Sequence, residues 1–323
     1  MRSATLTLIA AGLALGCFIA HACRADPPPA TPPLDEVVVT SERTGPGMWH
    51  VHRGAANLWI LGSISPLPRD MTWRSTQAEF VLESSSQVLV QKPIEISIPR
   101  ILWMLIADRK LLMVGGGKKL KDVMPAELHD RFALQRSKVT DDKDKWERYR
   151  PIIAAAFLQQ AAFHQVNLSM RLDLGAAMRA LAKKHGVRVE EVKVAGASDM
   201  LEALKTMPPA TERICVEASL STVESGLPRQ VDRAEAWAVG DVERIKNLSD
   251  LKEVNACRVA LDAGKGAFDV IGRIRQTWLD NMEKYLQSPG TTIAVVNLDM
   301  LLEPGGLLDE LRAKGYEIDA PTS

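Results

Sequence analysis

The stretch "LWILGS", residues 58–63, constrains the fold more than any other part of the chain. Leu58, Trp59, Ile60 and Leu61 form an unbroken apolar run, the pattern of a strand buried on both faces rather than of one with a wet side. Gly62 then lets the backbone turn or approach a neighbour closely. Ser63 and Ser65 flank Ile64 before Pro66 closes the segment. A strand that ends in Gly-x-x-polar is a common place to mount a functional side chain, which makes Ser65 the first candidate. A second apolar strand, "TTIAVVNL" (291–298), lies near the other end of the chain.

Around these two strands the pattern is readable. "MWHVHRG" and "NLWILGS", joined around Gly54, Ala55 and Ala56, predict a β-hairpin. "TQAEFVLESSS" (76–86) predicts a short helix and "QVLVQ" (87–91) the next strand, giving β-β-α-β. The middle of the chain is helical. "RILWMLIADRKLL" and "PAELHDRFALQRSK" are amphipathic, and the charged "DDKDKWER" (141–148) predicts a solvated loop or helix start. "PIIAAAFLQQAAFHQV" (151–166) and "GAAMRALAKKHG" (175–186) lead into a strand in "VRVEEVKV". Four further helical segments reach about residue 287, and "GGLLDELRAKGYEI" predicts a helix stopping at Gly315 before a terminal strand. The fold class is therefore α/β in the mixed, α+β sense: a central mixed β-sheet covered by helices, with a large helical insert between the N- and C-terminal strand motifs.

Residues 1–25 have the form of a secretory signal. Arg2 supplies the positive end, residues 6–20 the apolar stretch, and "AHA" and "CRA" end in alanine as cleavage sites do. The Pro-rich leader 26–44 follows, and 45–323 is the folded domain. The expected location is periplasmic or secreted. "ALGC" around Cys17 resembles a lipoprotein box only loosely and lies early, so no lipid anchor is expected. No later segment is long and apolar enough to span a membrane. Signal removal takes Arg2 and Arg24, leaving 38 basic against 40 acidic residues. With no basic stripe, nucleic acid is not an expected partner.

The mature chain keeps Cys215 and Cys257. An even pair in an oxidising compartment favours a disulfide, and "RAEAWAVGDVERIKNL" reads as a helix running back between them. Two buried free thiols are the alternative.

Three other motifs carry less. "GGGKK" (115–119) lacks the preceding Gly of a phosphate loop, and Lys119 stands where Ser or Thr would meet magnesium. His50 and His52, two apart on a strand, point to one face and make half a metal site; exposed hairpin histidines are the plainer reading. His129, His164 and His185 fall in predicted helices without ligand spacing. Ser65 is not in a Gly-x-Ser-x-Gly elbow, and Pro66 follows it.

The stretch "GPGMWHVHRGAANLWILGSISPLPRDMTWRS" resembles the TraB/GumN family of TraB, PrgY, GumN and Tiki-like proteins. So does "WLDNMEKYLQSPGTTIAVVNLDMLLEPGGLLDELRAKGYEI", and the segments between follow in the same order across residues 45–319. The resemblance implies a metal-dependent hydrolase scaffold, with Tiki-like members described as metallopeptidases. It implies a site made from a Gly-x-x-His after the early strand, a Glu ending the next strand, a Glu after the middle strand and a late Gly-x-x-His, assisted by a helix arginine. Imidazole and carboxylate suit a divalent ion that activates water or polarises a carbonyl.

Matched onto this chain, Gly62 keeps its place but Ser65 stands at the first His. Gln91 stands at the first Glu, Lys193 at the second, Asn297 at the late glycine and Met300 at the second His. The arginine matches Arg273 or Arg275. Glu190 or Glu191 would serve in place of Lys193 if the register slips. Asp299 neighbours Met300, but alternation along a strand points it to the other face.

The expected function is thus a non-catalytic binding or accessory protein of the periplasm, a pseudoenzyme without cofactor. Its cleft, lined by Ser65, Gln91, Lys193 and Met300, suits an acidic small molecule or a peptide carboxylate. The alternative is a metal-dependent hydrolase or peptidase of the Tiki-like type that uses replacement ligands, drawn from Glu190, Glu191, Asp299 and His50/His52.

Overall fold

The computed structural model describes residues 45–71, 76–93, 109–170, 172–194, 197–249, 252–262 and 270–321. The expected signal and leader, and most of the expected helix in "RILWMLIADRKLL", lie outside them. Six strands form one sheet: β1 (Met48–Arg53), β2 (Ala56–Ser63), β4 (Gln87–Gln91), β6 (Arg188–Val192), β7 (Gly290–Asn297) and β8 (Glu317–Asp319). Their order is β6-β4-β7-β2-β1-β8. β6, β4, β7 and β2 run parallel, whereas β1 is antiparallel to both β2 and β8. Two-residue strands β3 (Leu67–Pro68) and β5 (Leu168–Ser169) pair separately. The expected mixed α/β sheet is the one observed, and β1-β2-α1-β4 follows the sequence pattern, with α1 at Thr76–Glu83.

β7, although late in the chain, inserts between β2 and β4 and pairs with β2 from Ala56↔Gly290 to Ser63↔Asn297. Its apolar run fits that central position. Ile293, Ala294 and Val296 are fully buried, as are Leu58, Ile60, Val88, Leu89 and Val90 on the neighbouring strands. Trp59 departs from the two-sided burial of its run: it is half-buried and stacks on His50 of β1. Helices cover both faces. Along β6, Glu190 meets Lys284 and Tyr285 of α11 (Val270–Leu286), while Glu191 faces Arg179 of α5 (Leu174–Lys184); successive strand residues point to opposite faces, so these helices flank the sheet.

Gly62 is explained by close approach and not by unusual dihedrals. A Cβ there would lie 2.4 Å from Leu298 Cδ1 and 3.2 Å from Trp49 Cζ3. Gly62 Cα therefore packs against the start of α12 (Leu298–Leu302), the helix that follows β7. Its carbonyl accepts a 2.7 Å hydrogen bond from Trp237 Nε1 on α8 (Leu227–Ala238).

The helical insert builds a second core. Phe132 of α3 (Ala126–Val139), Leu158 of α4 (Pro151–Gln165), and Val216 and Leu220 of α7 (Pro209–Ser221) meet there. The charged 141–148 segment is the expected solvated loop, exposed at 141–145 and 148, with Glu147 the exception. Glu147 is buried and accepts from Arg136 Nη1 and from His129 Nε2 at 3.1 Å, because a buried carboxylate needs cationic and hydrogen-bonding partners. The four segments expected after β6 divide further: α6 (Ala197–Thr206), α7, α8, α9 (Val242–Ser249), α10 (Lys252–Asp262) and α11, with a π turn at Thr222–Gly226 joining α7 to α8. Among the described residues no helix is long and apolar enough to cross a membrane.

Cys215 on α7 and Cys257 on α10 form a disulfide, with Cα atoms 4.7 Å apart and a sequence separation of 42. The expected pairing is observed and the free-thiol alternative falls. Closing a loop of that length restricts the unfolded chain by about 4 kcal/mol at most. Reduction, or Cys215→Ser with Cys257→Ser, is expected to lower the melting temperature by several degrees. Differential scanning calorimetry with and without reductant checks this, and Tm values that coincide would contradict it. A second check is Gly62→Ala, expected to cost about 1–3 kcal/mol from overpacking against Leu298, read by urea unfolding.

Candidate functional site

Four parallel strands end on one side of the sheet: β2 at Ser63, β4 at Gln91, β6 at Val192 and β7 at Asn297. Register makes the alignment close. Ser63 pairs with Asn297, Gln91 with Val192, and Leu89 with Ala294. Open sheets with parallel strands bind ligands beyond these carboxyl ends, where the strand order reverses.

Ser65, Gln91, Lys193 and Met300 all fall at this edge. Ser65 lies just beyond β2, exposed, with its hydroxyl donating to Met170 Sδ at 3.4 Å; β3–β5 pairing draws that methionine in. Gln91 is the last residue of β4, and its carbonyl accepts from Arg179 Nη2 at 2.8 Å. Lys193 follows β6 directly and is exposed; among the described residues no carboxylate lies within ion-pair distance of its ammonium. Met300 is half-buried in α12. Asn297 caps that helix by accepting from Met300 N at 3.1 Å, a task glycine cannot perform.

The expectation for Asp299 requires correction. The chain turns helical at Leu298, so strand alternation does not govern the direction of Asp299. Its carboxylate accepts from Arg233 Nη2 of α8 at 2.5 Å. Beyond it, Glu303 accepts from Arg275 Nη2 at 2.6 Å and from Arg258 Nη1. Arg273 is more exposed and lies 4.0 Å from Asp199. Of the two candidate arginines, Arg275 is therefore the one anchored beside α12. A cleft of about 500 Å³ opens on this flank, lined in part by Arg233, Lys246, Arg258, Asp299 and Glu303. The sequence hinted at none of these pairings, since residues from α8, α10 and α11 meet only through tertiary packing.

The remaining replacement carboxylates sit within β6 itself. Glu190 accepts from the Tyr285 hydroxyl and from Lys284 Nζ at 3.1 Å. The tyrosine hydrogen bond, then the lysine, hold its carboxyl below the usual carboxylate range. Burial and the bond to Glu190 push the Tyr285 phenol up. Glu191 Oε1 lies 3.8 Å from Arg179 Nε. His50 and His52 lie elsewhere: they pair with Trp59 and Asn57 of β2, toward the start of the parallel strands, and share their surroundings with Asp319 of β8.

A mixed sheet flanked by helices, with four parallel strands ending on one side, defines an α/β protein. The chain belongs to the TraB/PrgY/gumN family, whose model matches residues 47–320. No curated protein and no solved structure matches it.

Because the native carboxyl of Glu190 has the lower pKa, its interactions stabilise the fold above the unfolded value, about 4.3. That stability fades as pH falls through the native value. Tyr285→Phe removes the largest cause and is expected to move acid unfolding to higher pH. Circular dichroism between pH 2 and 6 reads the midpoint; an unmoved midpoint would refute the assignment.

Proposed function

We propose that this protein is an exported, non-catalytic member of its family, a periplasmic binding or accessory protein that keeps the scaffold without the metal site. One observation carries the reading: the edge where four parallel strands end bears Ser65, Gln91, Lys193 and Met300. A hydroxyl, an amide and a thioether are poor ligands for hard or borderline divalent ions. An ammonium beside such an ion is a like charge.

The carboxylates required by the hydrolase alternative already have partners. Glu190 would have to leave Tyr285 and Lys284, and Asp299 would have to leave Arg233. Separating Asp299 from the buried Arg233 guanidinium opposes its recruitment to a metal, whereas the exposed Lys284 releases Glu190 at smaller cost. The signal-like segment 1–25 and the Cys215–Cys257 disulfide support an oxidising compartment outside the cytoplasm. The ligand class that suits the Lys193 end of the edge is an anion, such as a small acid or a peptide carboxylate.

The test uses the His50→Ala/His52→Ala background, so that only the strand-end edge is read. Manganese, cobalt and zinc are expected to leave its melting temperature unchanged. Adding Ser65→His, Gln91→Glu, Lys193→Glu and Met300→His is expected to create metal-dependent stabilisation. A ligand at a hundred times its Kd contributes about 2.7 kcal/mol to the native state, well within reach of a thermal melt. Metal stabilisation before restoration would overturn the non-catalytic reading. A folded, restored variant without affinity would refute the four-residue match.

A further inference from the structure

The clearest unassigned cluster is at the other end of the sheet, on the β1–β8 edge. His50 and His52 alternate onto one face of β1, and Asp319 pairs directly with His50 across the strands, which brings their side chains to the same face. Asp319 Oδ2 lies 3.3 Å from His50 Nδ1 and 3.3 Å from His52 Nε2. The three ligand atoms lie within 4.8 Å of one another. A zinc ion with bonds of about 2.0–2.2 Å sets its tetrahedral ligands about 3.3–3.5 Å apart, so the two contacts to Asp319 already have the required spacing.

The surrounding hydrogen bonds set the chemistry of His50. Asn57 Nδ2 donates to Ala55 O at 3.2 Å, which orients the amide and turns its Oδ1 toward His50 Nε2 at 2.9 Å. That oxygen only accepts, so in the neutral ring Nε2 carries the proton and Nδ1 presents a lone pair. The lone pair faces a carboxylate oxygen. With the ring neutral, a metal ion can be shared between that nitrogen and the carboxylate oxygen. Trp59 stacks on the His50 ring at 4.4 Å and 13°, and the two imidazoles stack at 4.7 Å. Outer partners that fix the tautomer and ring plane of a ligating histidine are a regular part of metal sites.

We propose that His50 Nδ1, His52 Nε2 and Asp319 form a zinc-type binding site, separate from the strand-end edge. Two imidazoles and one carboxylate select borderline transition ions such as Zn²⁺ or Co²⁺ over Ca²⁺ and Mg²⁺. The histidines are 22% and 25% exposed and Asp319 is 67% exposed, so ions enter from solvent and a coordination position remains for water. Glu317 pairs with His52 and adds a second carboxylate on the same face.

The test is titration of metal-free protein, residues 26–323, with zinc chloride by calorimetry, and with cobalt by absorption spectroscopy. One ion per chain is expected, with the visible bands of four-coordinate cobalt. His52→Ala and the isosteric, exposed Asp319→Asn are each expected to weaken binding by more than about tenfold. Ser65→Ala with Met300→Leu is expected to leave it unchanged. No binding up to millimolar zinc would overturn the site. Binding that survives both Asp319→Asn and His52→Ala would overturn it as well. Loss of binding in the Ser65/Met300 variant alone would locate the ion at the strand-end edge, refuting this site and the non-catalytic reading together.

Discussion

The parallel pairing of Ala56–Ser63 with Gly290–Asn297 is the interaction on which the rest of the structure depends. Without β7 the sheet would fall into two parts, β6-β4 and β2-β1-β8. The pairing joins segments far apart in the chain, yet loop-closure entropy grows only slowly with length. Burial of Leu58, Ile60, Ile293, Ala294 and Val296 opposes it, with each large aliphatic side chain contributing about 1.5–3 kcal/mol. Because both ends of the insert are then fixed in the sheet, the helices between them close over it. Gly62 belongs to the same constraint, since a side chain there would collide with Leu298 as α12 leaves β7.

At the strand-end edge, ion pairs and hydrogen bonds hold the polar groups. Arg233 holds Asp299, Arg275 and Arg258 hold Glu303, and Arg179 holds the Gln91 carbonyl. Such contacts tie the loops to the helices behind them. They also align several guanidinium groups along one flank of α12, where the cleft opens. The opposite end of the sheet has the reverse character. There two imidazoles and a carboxylate face one another within 4.8 Å, away from the guanidinium groups.

Much of the fold was legible because it is local. The alternation and apolar runs of "MWHVHRG", "NLWILGS" and "QVLVQ" define β1, β2 and β4 within a residue or so. Gly54 and Gly315 adopt positive φ, as turn and helix-stop glycines do. Other features depended on partners distant in sequence. Glu147 sits in a run that reads as solvated, but Arg136 and His129 draw it inside. Asp299 looked like the continuation of a strand, but Asn297 caps a helix there. His50 and His52 were half a site until the edge pairing of β8 supplied Asp319.

The sequence by itself determined the class of fold, which depends on periodicity within each element, and the family, whose motifs stand at both ends of the domain. It also paired Cys215 with Cys257, since only two cysteines remain beyond the signal-like segment. Tertiary structure alone decided that β7 lies between β2 and β4, that four strand ends share an edge, and which carboxylates already have cationic partners. Strand order and ion pairing are set by the global competition to bury apolar surface and to leave no charge alone, and no local pattern encodes that competition.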